Sequence, residues 1–307
     1  MKPGLLTTIQ DLGRHGYQKY GLAVSGSADP YAHRMANILV GNAKEAALLE
    51  VTLMGLKLLV KEPAVIAITG GDLNPLINGK ETPMWTSVHV KEGDVIQFKG
   101  PRTGCRSYLA VTGGIDVPKV LGSRATDLVG QIGGLNGRML KKGDIIHVFP
   151  KSLDGRRGRK LSKDLIPQYE NNINIRVILG PQDEAFTEEG IKTFLSSTYT
   201  VTKDVDRMGC RLEGAIIEHK DTADIISEGI FYGAIQVPKN GQPIIFLVGR
   251  QSVGGYTKIG GVITVDLPKL GQVKPGDSIT FTEVTIDKAQ EELKQQNQIF
   301  KILSATC

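Results

Sequence analysis

Gln10, Asp11 and Arg14 lie within five residues of one another, around Gly13. An amide, a carboxylate and a guanidinium this close can orient a small polar molecule. The guanidinium offers a fork of donors that matches a carboxylate or a phosphate. Gly13 lets the chain turn where a Cβ would obstruct it. The same run also reads as a polar turn closed by an internal Asp11–Arg14 pair. Asn37 and Asn42 bracket a Val-Gly turn, and Glu50 sits between Leu49 and Val51, where burial calls for a partner and an arginine is the natural one. Gly122-Ser123-Arg124-x-Thr126-Asp127 and Gly133-Gly134-Leu135-Asn136-Gly137-Arg138 form two polar loops whose amides either cradle an anion or merely turn the chain. In the second half, Asp206, Arg207 and Arg211 read as a structural salt bridge. Gln236, Arg250, Gln251 and Tyr256 lie in glycine-flanked segments, where a ligand can approach the backbone.

Several chemistries have no foothold. There is no GxxxxGK[ST] loop, no GxGxxG after a strand, no HExxH and no GxSxG. The histidines (His15, His33, His89, His147, His219) are scattered, and Cys105, Cys210 and Cys307 form neither a disulfide framework nor a metal-ligand pair. No metal site is expected. The net charge of +5, from 37 basic and 32 acidic residues, is too mild and too diluted for a nucleic-acid binder. No stretch approaches the ~20 apolar residues of a membrane helix, and Met1-Lys2-Pro3-Gly4 opens no signal-like run. The expectation is a cytoplasmic protein with no membrane and no nucleic-acid partner.

The elements that position these residues read as mainly β. The 37 glycines and the many short Ile, Val and Leu runs suggest numerous turns joining short strands. Lys91-x-Gly93-Asp94, Lys141-x-Gly143-Asp144 and Lys274-x-Gly276-Asp277 repeat one pattern, a hairpin entry whose aspartate bonds its own turn. Strands are expected over 56–60, 64–69, 106–112, 175–179, 243–248 and 262–265. Helices are few. Asp29-Pro30 is an N-cap with Pro at the first helical position, and Gly41 ends that run. Asp183 caps a second helix, and 287–303 forms a surface helix. The basic stretch around Arg156, Arg157, Arg159, Lys160 and Lys163 divides the chain. This gives two barrel-like lobes at 1–155 and 172–307, with a linker at 156–171.

Taken together, the segments resemble one family along nearly the whole chain. They are TTIQDLGR at the start, AN-x-LVGN at 36–42, Glu50-Val51-Thr52, Gly104-x-Arg106-x-Tyr108, GSR-x-TD, GG-x-x-GR, GPQ at 180–182, DRMG-x-RL, SEG at 227–229, GAIQVP and the GGY segment. The family is that of the 5-oxoprolinase C subunit, also known as the Kip antagonist KipA, which is similar to allophanate hydrolase subunit 2 and to the carboxyltransferase region of urea carboxylase. Gly249 and Thr257 depart from its usual pattern. The resemblance implies cyclophilin-like β-barrel lobes. It implies two partners, a KipI-like B subunit of 5-oxoprolinase that forms a heteromer with this chain, and a separate A subunit. It also implies an ATP-dependent opening of 5-oxo-L-proline to L-glutamate.

By that resemblance, Asp11 and Glu50 take the catalytic positions. Gln10, Arg14, Asn37, Asn42, Arg124, Gln236, Arg250, Gln251 and Tyr256 contact substrate. ATP is consumed by the complex. No Ala-Met-Lys-Met segment exists, so biotin would arrive on another chain. Two alternatives stand beside this one. One is a regulator that binds and antagonises a KipI-like histidine-kinase inhibitor. The other is a carboxyltransferase-like subunit served by a separate biotin carrier.

Overall fold

The computed structural model describes residues 2–153 and 158–306. Arg156, Arg157 and Cys307 therefore lie outside the described residues. The chain divides into two compact units. The first comprises residues 1–15, 25–169 and 298–307, and the second 16–24 and 170–297. The fold is mainly β.

The first unit holds strands β1 (Lys2–Pro3), β2 (Leu6–Gln10), β3 (Leu48–Thr52), β4 (Leu56–Leu59), β5 (Ala64–Gly70), β6 (Pro75–Ile77), β7 (Lys80–Glu81), β8 (Ser87–Val90), β9 (Val95–Phe98) and β10 (Arg106–Val111), with helix α1 (Pro30–Leu39). They form two five-stranded sheets, ordered β1-β4-β9-β6-β7 and β2-β3-β10-β5-β8. Alternation along the strands explains the packing, because successive side chains leave a strand on opposite faces. Ile66, Ile68 and Leu109 join Ile9, Val51, Leu56, Ile96 and Phe98 in a core between the sheets. Val65, Ala67, Tyr108 and Ala110, one residue out of phase, join α1 in a second core. The sheet containing β5 is thus buried on both faces, which is why Ala64–Gly70 reads as an almost unbroken apolar run.

Helix α1 begins where expected. Asp29 accepts a hydrogen bond from the Ala32 N–H at 2.8 Å, and Pro30 occupies the first turn. Ala32, Met35, Ala36 and Leu39 are buried against the sheet. Each fully buried apolar side chain of Met or Leu size contributes about 1.5–3 kcal/mol.

The stretch expected to be a basic linker belongs, over residues 158–169, to the first unit. Leu161 is buried and Tyr169 donates to Asp29 at 2.7 Å, so apolar packing and a hydrogen bond hold it despite its charge.

The second unit holds β11 (Asn172–Leu179), β12 (Tyr199–Val205), β13 (Gly209–Glu213), β14 (Asp224–Gly229), β15 (Ala234–Gln236), β16 (Ile244–Phe246), β17 (Val253–Tyr256), β18 (Lys258–Val262) and β19 (Ser278–Glu283). Seven of them close a barrel in the order β11-β18-β15-β16-β13-β12-β19, while β14 and β17 pair separately. The barrel core contains Ile175, Val177, Tyr199, Leu212, Ile235, Ile245, Ile259 and Phe281. Helices α2 (Glu188–Ser196), α3 (Leu267–Leu270) and α4 (Ile286–Thr306) complete the chain.

Two local expectations are corrected. Asp183 begins a short 3-10 turn, and Thr187 caps α2 by accepting from the Gly190 N–H at 2.9 Å. The strand expected at 262–265 ends at Val262, because the chain turns there into α3.

The three Lys-x-Gly-Asp turns share one geometry. Each Asp accepts from the backbone N–H of its Lys, at 2.8, 2.7 and 3.0 Å, and each Gly has a positive φ. The aspartates are structural, as expected. They are not hairpin entries, however: β8 and β9 flank the first turn but lie in different sheets.

Candidate functional site

In the first unit, Gln10, Asp11 and Arg14 come together with the loop 120–126. Asp11 bonds its own turn through the Gly13 N–H at 2.8 Å, then accepts from the Ser123 hydroxyl at 2.7 Å and the Arg124 N–H at 2.6 Å. The Asp11–Arg14 pair, one of the two readings of this run, does not form. Arg14 turns away and is fully buried, its Nε donating to Val120 O and its Nη2 to Ala125 O, both at 3.0 Å. Two backbone carbonyls of the 120–125 segment hold the guanidinium instead.

Gln10, also buried, donates to Thr8 Oγ1 at 2.9 Å and Thr126 O at 3.1 Å. Arg14 Nη1 and Gln10 Oε1 find no hydrogen-bond partner among the described residues. A buried polar atom without a partner costs about 1–3 kcal/mol, so these two atoms are prime places for a polar ligand or a water.

The glycine loops are largely self-satisfied. Gly134 N–H donates to Arg124 O at 3.0 Å, and Gly137 N–H to Gly133 O at 2.7 Å. The glycines serve close packing of one loop on the other. A Cβ on Gly133 would fall 2.1 Å from Ala125 O, and one on Gly134 2.0 Å from Thr126 Oγ1. Arg124 donates through Nε to Val117 O at 2.8 Å and lies over the Phe149 ring.

Asn37 and Asn42 are occupied elsewhere. Asn42 Nδ2 donates to Asn37 Oδ1 at 3.0 Å and Val111 O at 2.8 Å, while its Oδ1 accepts from Gly113 N–H at 2.8 Å. Asn37 donates to Ala46 O at 2.8 Å. The pair ties the end of α1 to the end of β10.

His33, within hydrogen-bond reach of Ser27 Oγ at 2.7 Å and of Asn37 at 3.3 Å, is fully buried. Burial first, and the Arg34 charge second, push its pKa down to about 3. The native imidazole is neutral, whereas the unfolded one takes a proton near pH 6.5. Its stabilisation is complete above about pH 6.5 and drains away toward pH 3, at about 1.4 kcal/mol per unit. Urea unfolding from pH 6 to 5 should approach that slope in the wild type and show a shallower one in His33→Gln. Equal slopes would contradict this.

Glu50 is buried as expected, with an arginine beside it. Oε2 accepts from the Ala28 N–H at 2.8 Å and the Tyr108 hydroxyl at 3.0 Å, and Oε1 lies 4.0 Å from Arg106 Nε. Burial, then the Glu50 charge, raise the Tyr108 pKa well above its ordinary value, so the phenol remains a donor.

In the second unit, Arg250 points inward. Nε donates to Ile230 O at 3.0 Å and Nη1 to Leu247 O at 3.3 Å, and burial lowers its pKa. Gln236 is buried and donates to Tyr256 O at 3.0 Å. Gln251 and the Tyr256 ring are exposed. Gln182, Glu228 and Lys258 form a further polar cluster. Gln182 Nε2 donates to Glu228 Oε1 at 2.8 Å, and Lys258 Nζ donates to the same oxygen. Among the described residues, no three His, Cys, Asp or Glu side chains gather as a metal site, and no helix is long and apolar enough to cross a membrane.

A model of the carboxyltransferase domain, subdomains A and B, matches residues 20–283. The chain belongs to the carboxyltransferase-domain family. This family member is 35% identical over 306 residues to the 5-oxoprolinase C subunit of Escherichia coli, covering 99% of this chain and 96% of the relative. It is 33% identical to the 5-oxoprolinase C subunit of Haemophilus influenzae, covering 95% and 93%. The crystal structure of the K. lactis urea amidolyase superposes with a TM-score of 0.93 at 32% identity, over 98% of this chain and 19% of that one. The carboxyltransferase-domain protein thus spans about a fifth of that larger chain.

Sequence reasoning about this carboxyltransferase-domain protein missed the Gln182–Glu228–Lys258 cluster as chemistry. Gln182 and Glu228 were visible in the GPQ and SEG segments. Lys258 opens an apolar strand and carries no signal of its own.

Proposed function

We propose that this chain is the C subunit of an ATP-dependent 5-oxoprolinase, acting with a KipI-like B subunit, and with a separate A subunit, to open 5-oxo-L-proline to L-glutamate. The observation that carries this reading is the match to two 5-oxoprolinase C subunits over nearly their whole length. Opening the lactam is unfavourable near neutrality. ATP phosphorylates the amide oxygen, a water adds to the activated carbon, and the C–N bond breaks with the ring nitrogen leaving as the amine. A second water hydrolyses the resulting acyl phosphate to glutamate and phosphate; the complex must therefore bind anionic oxygens and exclude loose water. Arg14 suits the anion-binding task, since its buried Nη1 has no acceptor among the described residues. Arg124 and Gln10 flank it. Asp11 and Glu50, whose oxygens already take backbone and side-chain donors, act as positioning residues that hold the loop 120–126 and the start of α1. Asn37, Asn42 and Arg250 hold the scaffold, while Gln236, Gln251 and Tyr256 remain ligand contacts. ATP is consumed by the complex, and no biotin is carried on this chain.

A second reading, a carboxyltransferase-like subunit served by a separate biotin carrier, is favoured by the likeness to urea amidolyase. Mixing the purified chain with the A and B subunits, ATP and 5-oxo-L-proline, and assaying glutamate, separates the two.

A further inference from the structure

Lys258 is charged and its side chain is only 2% exposed. An ammonium has three N–H donors, yet among the described residues its one acceptor is Glu228 Oε1. Glu228 is the complement. Oε1 takes both Lys258 and Gln182, Oε2 takes no donor among the described residues, and the side chain is 43% exposed. Gln182 is locked in place from both ends. Its Oε1 accepts the Lys258 N–H and its own N–H donates to Lys258 O, each at 3.1 Å.

Two neighbouring residues shape the surroundings of the pair, whose exposed member is Glu228. The cross-strand neighbour of Glu228 on β17 is Gly254, which has no side chain to lay over the carboxylate. A Cβ there would fall 2.6 Å from Ile230 Cδ1 and 3.0 Å from Gln236 Nε2. Gln236, the β15 neighbour of Lys258, is itself buried. The surroundings thus combine an open acceptor, unused buried donors and an amide.

An open-chain trans amide points its N–H and C=O in opposite directions. A ring forces the amide cis and turns both groups to one edge, donor beside acceptor. We propose that Glu228 and Lys258 form a recognition edge for a cyclic cis-amide, a lactam or a cyclic urea. Glu228 Oε2 accepts the ring N–H, and Lys258 Nζ donates to the ring carbonyl. The ammonium also draws electrons from that carbonyl. The choice of 5-oxo-L-proline as first ligand rests on the 5-oxoprolinase reading; the edge itself does not.

The test is NMR titration of the full chain with 5-oxo-L-proline, N-methyl-5-oxo-L-proline and 2-imidazolidinone. 5-Oxo-L-proline should bind, and its N-methyl analogue should bind about tenfold or more weakly, the loss expected for one charge-assisted bond. Glu228→Gln and Lys258→Met should each weaken 5-oxo-L-proline by a similar factor. A merely structural ion pair predicts otherwise, because removing both charges together leaves no lone buried charge. The double variant Glu228→Gln/Lys258→Met would then regain wild-type affinity. On our account it folds and melts like the wild type but does not regain binding. Tighter binding of 2-imidazolidinone than of 5-oxo-L-proline would support the edge while counting against the 5-oxoprolinase reading. Equal binding of the N-methyl analogue, recovery in the double variant, or no binding of any ring would overturn the edge. Glutamate release by the reconstituted complex would still judge the function separately.

Discussion

Glu50→Ala should destabilise the protein by about 3–5 kcal/mol, the usual consequence of removing one side of a buried charge pair. The substitution takes away the acceptor for the Ala28 N–H and the Tyr108 hydroxyl, and the carboxylate facing Arg106. For a chain of this size the melting temperature should fall by on the order of 10 °C. Glu50→Gln keeps a carbonyl oxygen for those two donors and should lose less. Thermal melts of the two variants therefore separate two roles for this carboxylate. A Glu50→Ala protein that melts like the wild type but supports no glutamate release would return Glu50 to the reacting atoms. The predicted pattern, a large loss of stability that Glu50→Gln partly relieves, keeps it as the post on which the start of α1 stands.

Gly133→Ala should cost about as much, by a different route. With φ near +70°, any side chain is strained by roughly 1–2 kcal/mol. The added Cβ would also stand 2.1 Å from Ala125 O and 2.6 Å from Arg14 Nη2, the two atoms of one hydrogen bond. Backbone must move, and the buried guanidinium loses an acceptor, so a total of at least about 3 kcal/mol is expected. Gly122→Ala is the control. Its φ of +81° carries the same strain, but nothing lies within 4 Å of the new Cβ. Chemical denaturation should show Gly133→Ala clearly below Gly122→Ala. Equal losses would mean that loop contact with Arg14 contributes nothing.

Local signals were the most readable part of the chain. Asp29-Pro30 announced α1 because capping and φ restriction act within a few residues. The three Lys-x-Gly-Asp turns were readable for the same reason. Glu50, flanked by apolar neighbours, correctly suggested burial beside an arginine. Where a side chain had several partners within reach, sequence could not choose among them. Asp11 and Arg14 are near neighbours, yet each prefers groups from the 120–126 loop, more than a hundred residues away in sequence. Asp183 looked like the cap of α2, but Thr187 sits where the first free N–H groups are. The Gln182–Glu228–Lys258 cluster joins β14, β18 and the segment after β11, so only the folded chain brings it together.

On our account, this carboxyltransferase-domain protein is a required part of an ATP-driven lactam hydrolase. The direct measurement is glutamate formed from 5-oxo-L-proline and ATP by the purified A and B subunits with this chain, beside the same mixture without it. Sustained, ATP-dependent glutamate release is predicted only when all three are present. An equal rate without this chain, or no glutamate with all three present, would contradict it.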